Sequence, residues 1–241
     1  FQDLEDPPLM LGPDSMTASF TGIKNMIDPI LEHGDGRLAV IGHHLYAGGS
    51  EEDPDLYVSS MNRLRDNYPD IPKWQTEYYR GNGVQTAWLI SNFFVEEGGE
   101  AYIYWDTIWG PDGTLVALEN PWETDTWTTE KGYKVDDKIY ALAHFAKFTD
   151  GGYVMADASV DYQNSDIKAA AFMSPDEDRL VIVLTNTEYS NSDIRLNLNG
   201  YDVENSTIYL TNYQDGATDR MADKGSVGED MTVELPAQSV M

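Results

Sequence analysis

The sequence predicts an α/β region followed by an all-β region. Short apolar runs alternate with helix-periodic stretches up to about residue 150, and from Gly151 onward strand-like runs are separated by Gly, Asn and Asp turns. No apolar run approaches the ~18–20 residues that a membrane-spanning helix needs. The expected division is residues 1–150 and 151–241, with the boundary at Asp150-Gly151-Gly152.

Leu9-Met10-Leu11-Gly12 form a short apolar run ahead of Pro13. Helical periodicity is expected from Ser15 to about Glu32, through Phe20, Ile23, Met26, Ile27 and Ile30, with Pro29 kinking or dividing the helix. Residues 38–42 (LAVIG) read as a buried strand that runs into His43-His44-Leu45-Tyr46. A helix over 54–67, a strand over 73–78, a helix over 84–97 stopped by Gly98-Gly99, and a strand over 101–105 follow. This alternation implies a parallel sheet, open or closed into a barrel. Residues 107–133 are polar, aromatic and too many for a simple connector, and a helix over 135–148 closes the region. Strands over 153–156, 167–173, 180–187, 194–198, 207–211 and 231–235 then read as a β-sandwich-like second domain.

Composition excludes several functions. Fifteen basic against 42 acidic residues give a formal charge of -27, which repels nucleic-acid phosphates and anionic membrane surfaces and disfavours a polyanionic substrate. The excess is spread over both regions, as expected of a solvated surface in a salt-rich or extracellular setting. With no cysteine there is no disulfide, thiolate metal site or cysteine nucleophile. The chain carries no GxSxG, Walker or GxGxxG pattern, and its His43-His44 pair lacks the HExxH spacing of a zinc site. No metal and no cofactor are expected.

The chemistry-bearing residues gather at the ends of the strands that precede helices, where catalytic groups of parallel β/α folds sit. Glu77 ends the run Lys73-Trp74-Gln75-Thr76-Glu77 and is flanked by Trp74, Tyr78 and Tyr79. His44 and Tyr46 end the preceding strand; Trp105 ends the following one, with Asp106 and Trp109 just beyond. A tryptophan face suits the apolar CH face of a sugar ring. A carboxylate among aromatic side chains therefore suggests a carbohydrate site, in an enzyme or in a non-catalytic carbohydrate-binding protein. Only the enzyme needs Glu77 as a carboxylate.

GPDSM (12–16), GHHLYAGG (42–49), KWQTEYY (73–79), AYIYWD (101–106), KIYALAHFAKFTDGGYVMADAS (138–159) and RLVIVLTNTE (179–188) together resemble, in order and spacing, glycoside hydrolase family 30, especially its xylanase branch. The resemblance implies the C-terminal half (strands 5–8) of a (β/α)8 TIM barrel, fused to an antiparallel β-sandwich side domain. It implies a retaining hydrolase of β-glycosidic bonds in a plant-wall polysaccharide, xylan first, with a β-glucosidase or β-1,6-glucanase as alternatives within the family. It places the nucleophile at Glu77, an active-site aromatic at Trp105, and sugar contacts at His44 and Tyr46; Trp74, Tyr78, Tyr79 and Trp109 complete the expected substrate-binding set. Two departures accompany it. The family's acid/base glutamate, in an Asn-Glu pair ending the fourth barrel strand, is not among these residues, so a second chain or a longer sequence is expected to supply it. Where the glucuronoxylan-specific branch uses an arginine, this chain has Asp106-Thr107-Ile108-Trp109, which favours a neutral glycan. Both ends read as cut, and the expected location is extracellular.

Overall fold

The structure, a computed structural model, describes residues 8–46, 49–110, 113–123, 132–160 and 166–241. These form two compact units. One comprises residues up to Gly81 together with Asn92–Asp136, and the other comprises Asn82–Ser91 with Asp137–Met241.

The first unit is built on four strands, β1 (Met10–Ser15), β2 (Leu38–His44), β3 (Lys73–Glu77) and β4 (Ala101–Tyr102), paired in that order and all parallel. Helices α1 (Phe20–His33), α2 (Val58–Asn67) and α3 (Gly83–Glu97) make the three crossovers. On α1 the buried Phe20, Ile23 and Ile27 recur at helical spacing and form one cluster with Leu38 and Ile41 of β2, Leu64 of α2, and Tyr68. That burial selects the helix face and fixes the sheet face beneath it.

The apolar run before Pro13 is longer as a strand than the sequence suggests: β1 continues through Pro13 and Asp14 to Ser15. The chain leaves the strand through turns in which the Ser15 hydroxyl accepts from the Thr17 N–H (3.4 Å) and the Thr17 hydroxyl from the Ser19 N–H (3.0 Å). Helix α1 therefore starts at Phe20, not at Ser15, and runs through Pro29 as one element. The start of α3 is set by a reciprocal capping box. The Gln85 N–H donates to Asn82 Oδ1 and the Asn82 N–H to Gln85 Oε1, both at 2.9 Å. At its end the Gly98 and Gly99 N–H groups bond back to Phe94 and Phe93, with Gly98 at φ 66°. The stretch too long for a simple connector contributes to the small sheet β5 (Ile108–Trp109), β6 (Val116–Leu118) and β7 (Tyr133–Val135).

In the second unit, helix α4 (Lys138–Ala146) precedes β8 (Val154–Ala156), β9 (Ile167–Met173), β10 (Leu180–Asn186), β11 (Ser192–Arg195), β12 (Tyr209–Asn212), β13 (Ala222–Asp223), β14 (Thr232–Leu235) and β15 (Ser239–Val240). Six form an antiparallel sheet ordered β13-β12-β15-β10-β9-β8, and β11 pairs with β14 separately. Ile167 and Leu184 of the larger sheet cluster with Val233 and Leu235 of the smaller one, so the two sheets share one core. Strand β15 lies between β10 and β12, yet only two of its residues carry the strand pattern.

Candidate active site

The tips of β1, β2 and β3 meet where their pairing is irregular. From Ile41↔Lys73 through Gly42↔Trp74 to His43↔Gln75 the register is regular, and register neighbours project to the same face. Ile41 and His43 face the helix layer: Ile41 packs in the α1/α2 core, and His43 lies edge-on to Phe93 with its Nε2 at 2.9 and 3.0 Å from the Glu97 carboxylate. Thr76 is then skipped, and His44 pairs with Glu77. This extra residue turns Glu77 away from the helix face of Gln75 and onto the face of Trp74 and His44. A matching shift in β1 skips Asp14 between Pro13↔Gly42 and Ser15↔His43.

The three tips bring Asp14, His44 and Glu77 together. His44 Nε2 lies 3.3 Å from Asp14 Oδ1 and 3.8 Å from Glu77 Oε2. Gly42 makes this approach possible, because a Cβ there would stand 3.3 Å from Asp14 Oδ1 and 2.6 Å from Leu11 Cδ2. The Tyr46 hydroxyl is buried and makes no hydrogen bond of good geometry. Burial first, and the facing Glu77 carboxylate second, push its pKa well up, so it stays a protonated donor aimed at Glu77. The Tyr46 ring packs edge-on to His44 at 5.7 Å and against Tyr78 and Tyr79 at 5.4 Å each, with the Arg80 guanidinium 5.7 Å away.

The expected aromatic residues divide into three groups by exposure. Tyr78 is 1% exposed; its hydroxyl accepts from Ser50, and burial pushes its pKa up to about 12. This corrects the expectation of a sugar contact there, because the side chain has no free face and acts as the wall behind Tyr46. Trp74 and Tyr79 are half-buried. Trp105 and Trp109 are open, and Trp109 meets Trp122 edge-on at 4.8 Å. Of the pair Tyr102 and Tyr104, both hydroxyls are withdrawn from solvent. That of Tyr102 is buried without a hydrogen-bond partner, and that of Tyr104 lies 3.0 Å from the carbonyls of Tyr79 and Gly113. The peptide bond Trp105-Asp106 is cis. Asp106 has a buried Oδ1, and burial raises its pKa.

Two contributors escape sequence reasoning. Asp14 lies between the apolar run that ends before Pro13 and the helix expected from Ser15, and nothing in its neighbours signals a left-handed residue at a strand end. Trp122 lies in the long aromatic stretch, where nothing in the sequence signals its edge-on contact with Trp109. Among the described residues no group of three His, Cys, Asp or Glu side chains could hold a metal ion, and no helix is long and apolar enough to cross a membrane.

No family model matches the chain. Individual proteins do. The chain is 25% identical to glucuronoxylanase XynC of Bacillus subtilis (strain 168) over 239 residues, covering 92% of this chain and 50% of that protein. Among solved structures, an endoxylanase of glycoside hydrolase family 30 from Clostridium papyrosolvens C71 superposes with a TM-score of 0.72 at 25% identity, over 96% of this chain and 54% of the other. A family 30 subfamily 8 xylanase, Xyn30A, from Clostridium acetobutylicum gives 0.70 at 23% identity with the same coverage. The chain thus spans about half the length of the relatives it matches.

Proposed function

Homologous over most of its length to the xylanases and glucuronoxylanases of glycoside hydrolase family 30, the chain is, we propose, part of the catalytic domain of a retaining glycoside hydrolase that cleaves xylan or a similar neutral β-glycan. The observation that carries the reading is the Glu77 carboxylate at the tip of a parallel strand, faced by the Tyr46 hydroxyl and by His44 Nε2 at 3.8 Å.

In the mechanism, a Glu77 oxygen attacks the anomeric carbon and the glycosidic C–O bond breaks, while a carboxylic acid protonates the departing oxygen. Water, deprotonated by that same group, then attacks the glycosyl-enzyme and releases Glu77. The Tyr46 hydroxyl and His44 Nε2 face the carboxylate and stabilise it electrostatically, and the open faces of Trp105 and Trp109 seat sugar rings. The acid/base comes from polypeptide outside these residues, with the four strands of this sheet acting as strands 5–8 of the barrel. The neutral or acidic residues at 106–109 favour an undecorated chain over a glucuronate-bearing one, and the setting is extracellular.

The test is Glu77→Gln in the complete enzyme. Turnover of xylan should fall below detection while xylo-oligosaccharide binding stays within a few-fold of wild type. Activity near wild type removes Glu77 as nucleophile. Unchanged binding in a protein that never turned over the glycan favours a carbohydrate-binding protein instead.

A further inference from the structure

Asp14 departs from what a strand end ordinarily does. Its φ is 57°, a left-handed backbone that costs a non-glycine residue free energy unless its surroundings hold it there. It is the residue skipped in the β1–β2 pairing, so the backbone turn aims its side chain across the tip of β2. There its Oδ1 accepts from the Thr76 hydroxyl, itself the skipped residue of β3, and lies 3.3 Å from His44 Nε2. Two irregularities in two strands thus converge on one carboxylate oxygen. With the Asp14 side chain half open to solvent beside a buried His44, the pair adds little stability, so pairing alone does not account for the strained backbone.

His44 Nδ1 is buried without a hydrogen-bond partner, whereas its Nε2 sits between Asp14 and Glu77. With the proton on Nε2, the N–H edge of the ring faces Asp14 at 3.3 Å and Glu77 at 3.8 Å. With it on Nδ1, the Nε2 lone pair would face both carboxylates and the N–H would face nothing. From this geometry we infer that Asp14 is a positioning residue for the Glu77 carboxylate, acting through His44: it fixes the Nε2–H tautomer and the ring orientation that hold Glu77 for attack. The inference rests on Glu77 being the nucleophile.

Two variants separate positioning from folding. Asp14→Asn keeps an acceptor oxygen and tolerates the left-handed backbone, whereas Asp14→Gly removes the acceptor and relieves the backbone. Each is made in the complete enzyme and treated with an activated 2-deoxy-2-fluoro xylo-oligosaccharide, whose leaving group departs without acid assistance, so that the rate reports attack by the carboxylate. Asp14→Gly should slow glycosyl-enzyme formation roughly 10–100-fold, with the half-saturating concentration within about twofold and an unchanged or higher melting temperature. Asp14→Asn should recover most of the rate. A wild-type rate in Asp14→Gly, equal losses in the two variants, or a fall in melting temperature with no change in rate each overturns the inference. Glu77→Gln is the control: if it is still labelled, the nucleophile assignment fails, and if it is inert while Asp14→Gly is unaffected, only the role of Asp14 fails.

Discussion

Replacing Glu97 by Gln tests how a buried ion pair behind the site is balanced. His43 and Glu97 are both fully buried, and the imidazole Nε2 reaches both carboxylate oxygens at 2.9 and 3.0 Å. Burial pulls the imidazole toward neutrality, but the charge and hydrogen bond of Glu97 outweigh it, so the His43 pKa is raised in the folded state. The unfolded imidazole titrates near ~6.5. A raised folded pKa means that the native state binds the proton more tightly. This stabilisation is fully present below ~6.5 and is lost as pH rises through the folded pKa.

In Glu97→Gln the amide oxygen still accepts one hydrogen bond, but the charge is gone. Burial, the largest influence, then outweighs the His44 carbonyl and Asp14 that still favour the proton, the folded pKa drops, and stability from this residue is lost as pH falls below ~6.5. The two proteins therefore diverge toward acid. The exchange of a charged for a neutral acceptor costs about 1–2 kcal/mol at neutral pH, and each pH unit separating the two folded pKa values adds about 1.4 kcal/mol below that range. Urea unfolding of both proteins between pH 5.5 and 8.5 measures the difference directly, with contributions from the many surface carboxylates cancelling. A gap that is constant, or that widens toward alkaline pH, refutes the reasoning.

Other perturbations have outcomes set by the same geometry. Gly99→Ala would place a Cβ 2.1 Å from the ring of the fully buried Phe93, and scanning calorimetry should show a loss of about 1–3 kcal/mol. Ile27→Ala, at a fully buried position in the α1 cluster, should cost about 2–5 kcal/mol by denaturant titration. Asn82→Ala breaks the capping box of α3 and should cost about 1 kcal/mol, whereas Asn82→Ser should recover most of it. Trp105→Ala should raise KM for xylo-oligosaccharides about tenfold, equivalent to ~1.4 kcal/mol, with kcat changed less; an unchanged KM would mean that the exposed ring does not stack on sugar.

Elements with a dense apolar pattern were readable from sequence: β9 lies where its apolar residues place it, and β10 and α3 agree within a residue at their ends. The position of Glu77 at a strand tip was readable as well. Its orientation was not, because strict alternation from Gln75 points it at the helix layer, and only the skipped Thr76 returns it to His44. Adjacent tyrosines were equally ambiguous: Tyr78 and Tyr79 have the same chemistry, and which one is walled in depends on where that irregularity falls. Strand β15 escaped notice because two residues carry no periodicity, although both of its edges are hydrogen-bonded.

That two-residue strand has a consequence for how the second unit is assembled. Ser239 and Val240 join β10 to β12, and they come later in the chain than the other described strands of the unit. Until they are laid down, the β9–β10 hairpin emerges from the ribosome with one flank of unpaired amides and carbonyls, an invitation to neighbouring nascent chains. Proteolytic nicking just before Ser239 would reopen that flank in the finished molecule and split a six-stranded sheet into a trio and a pair.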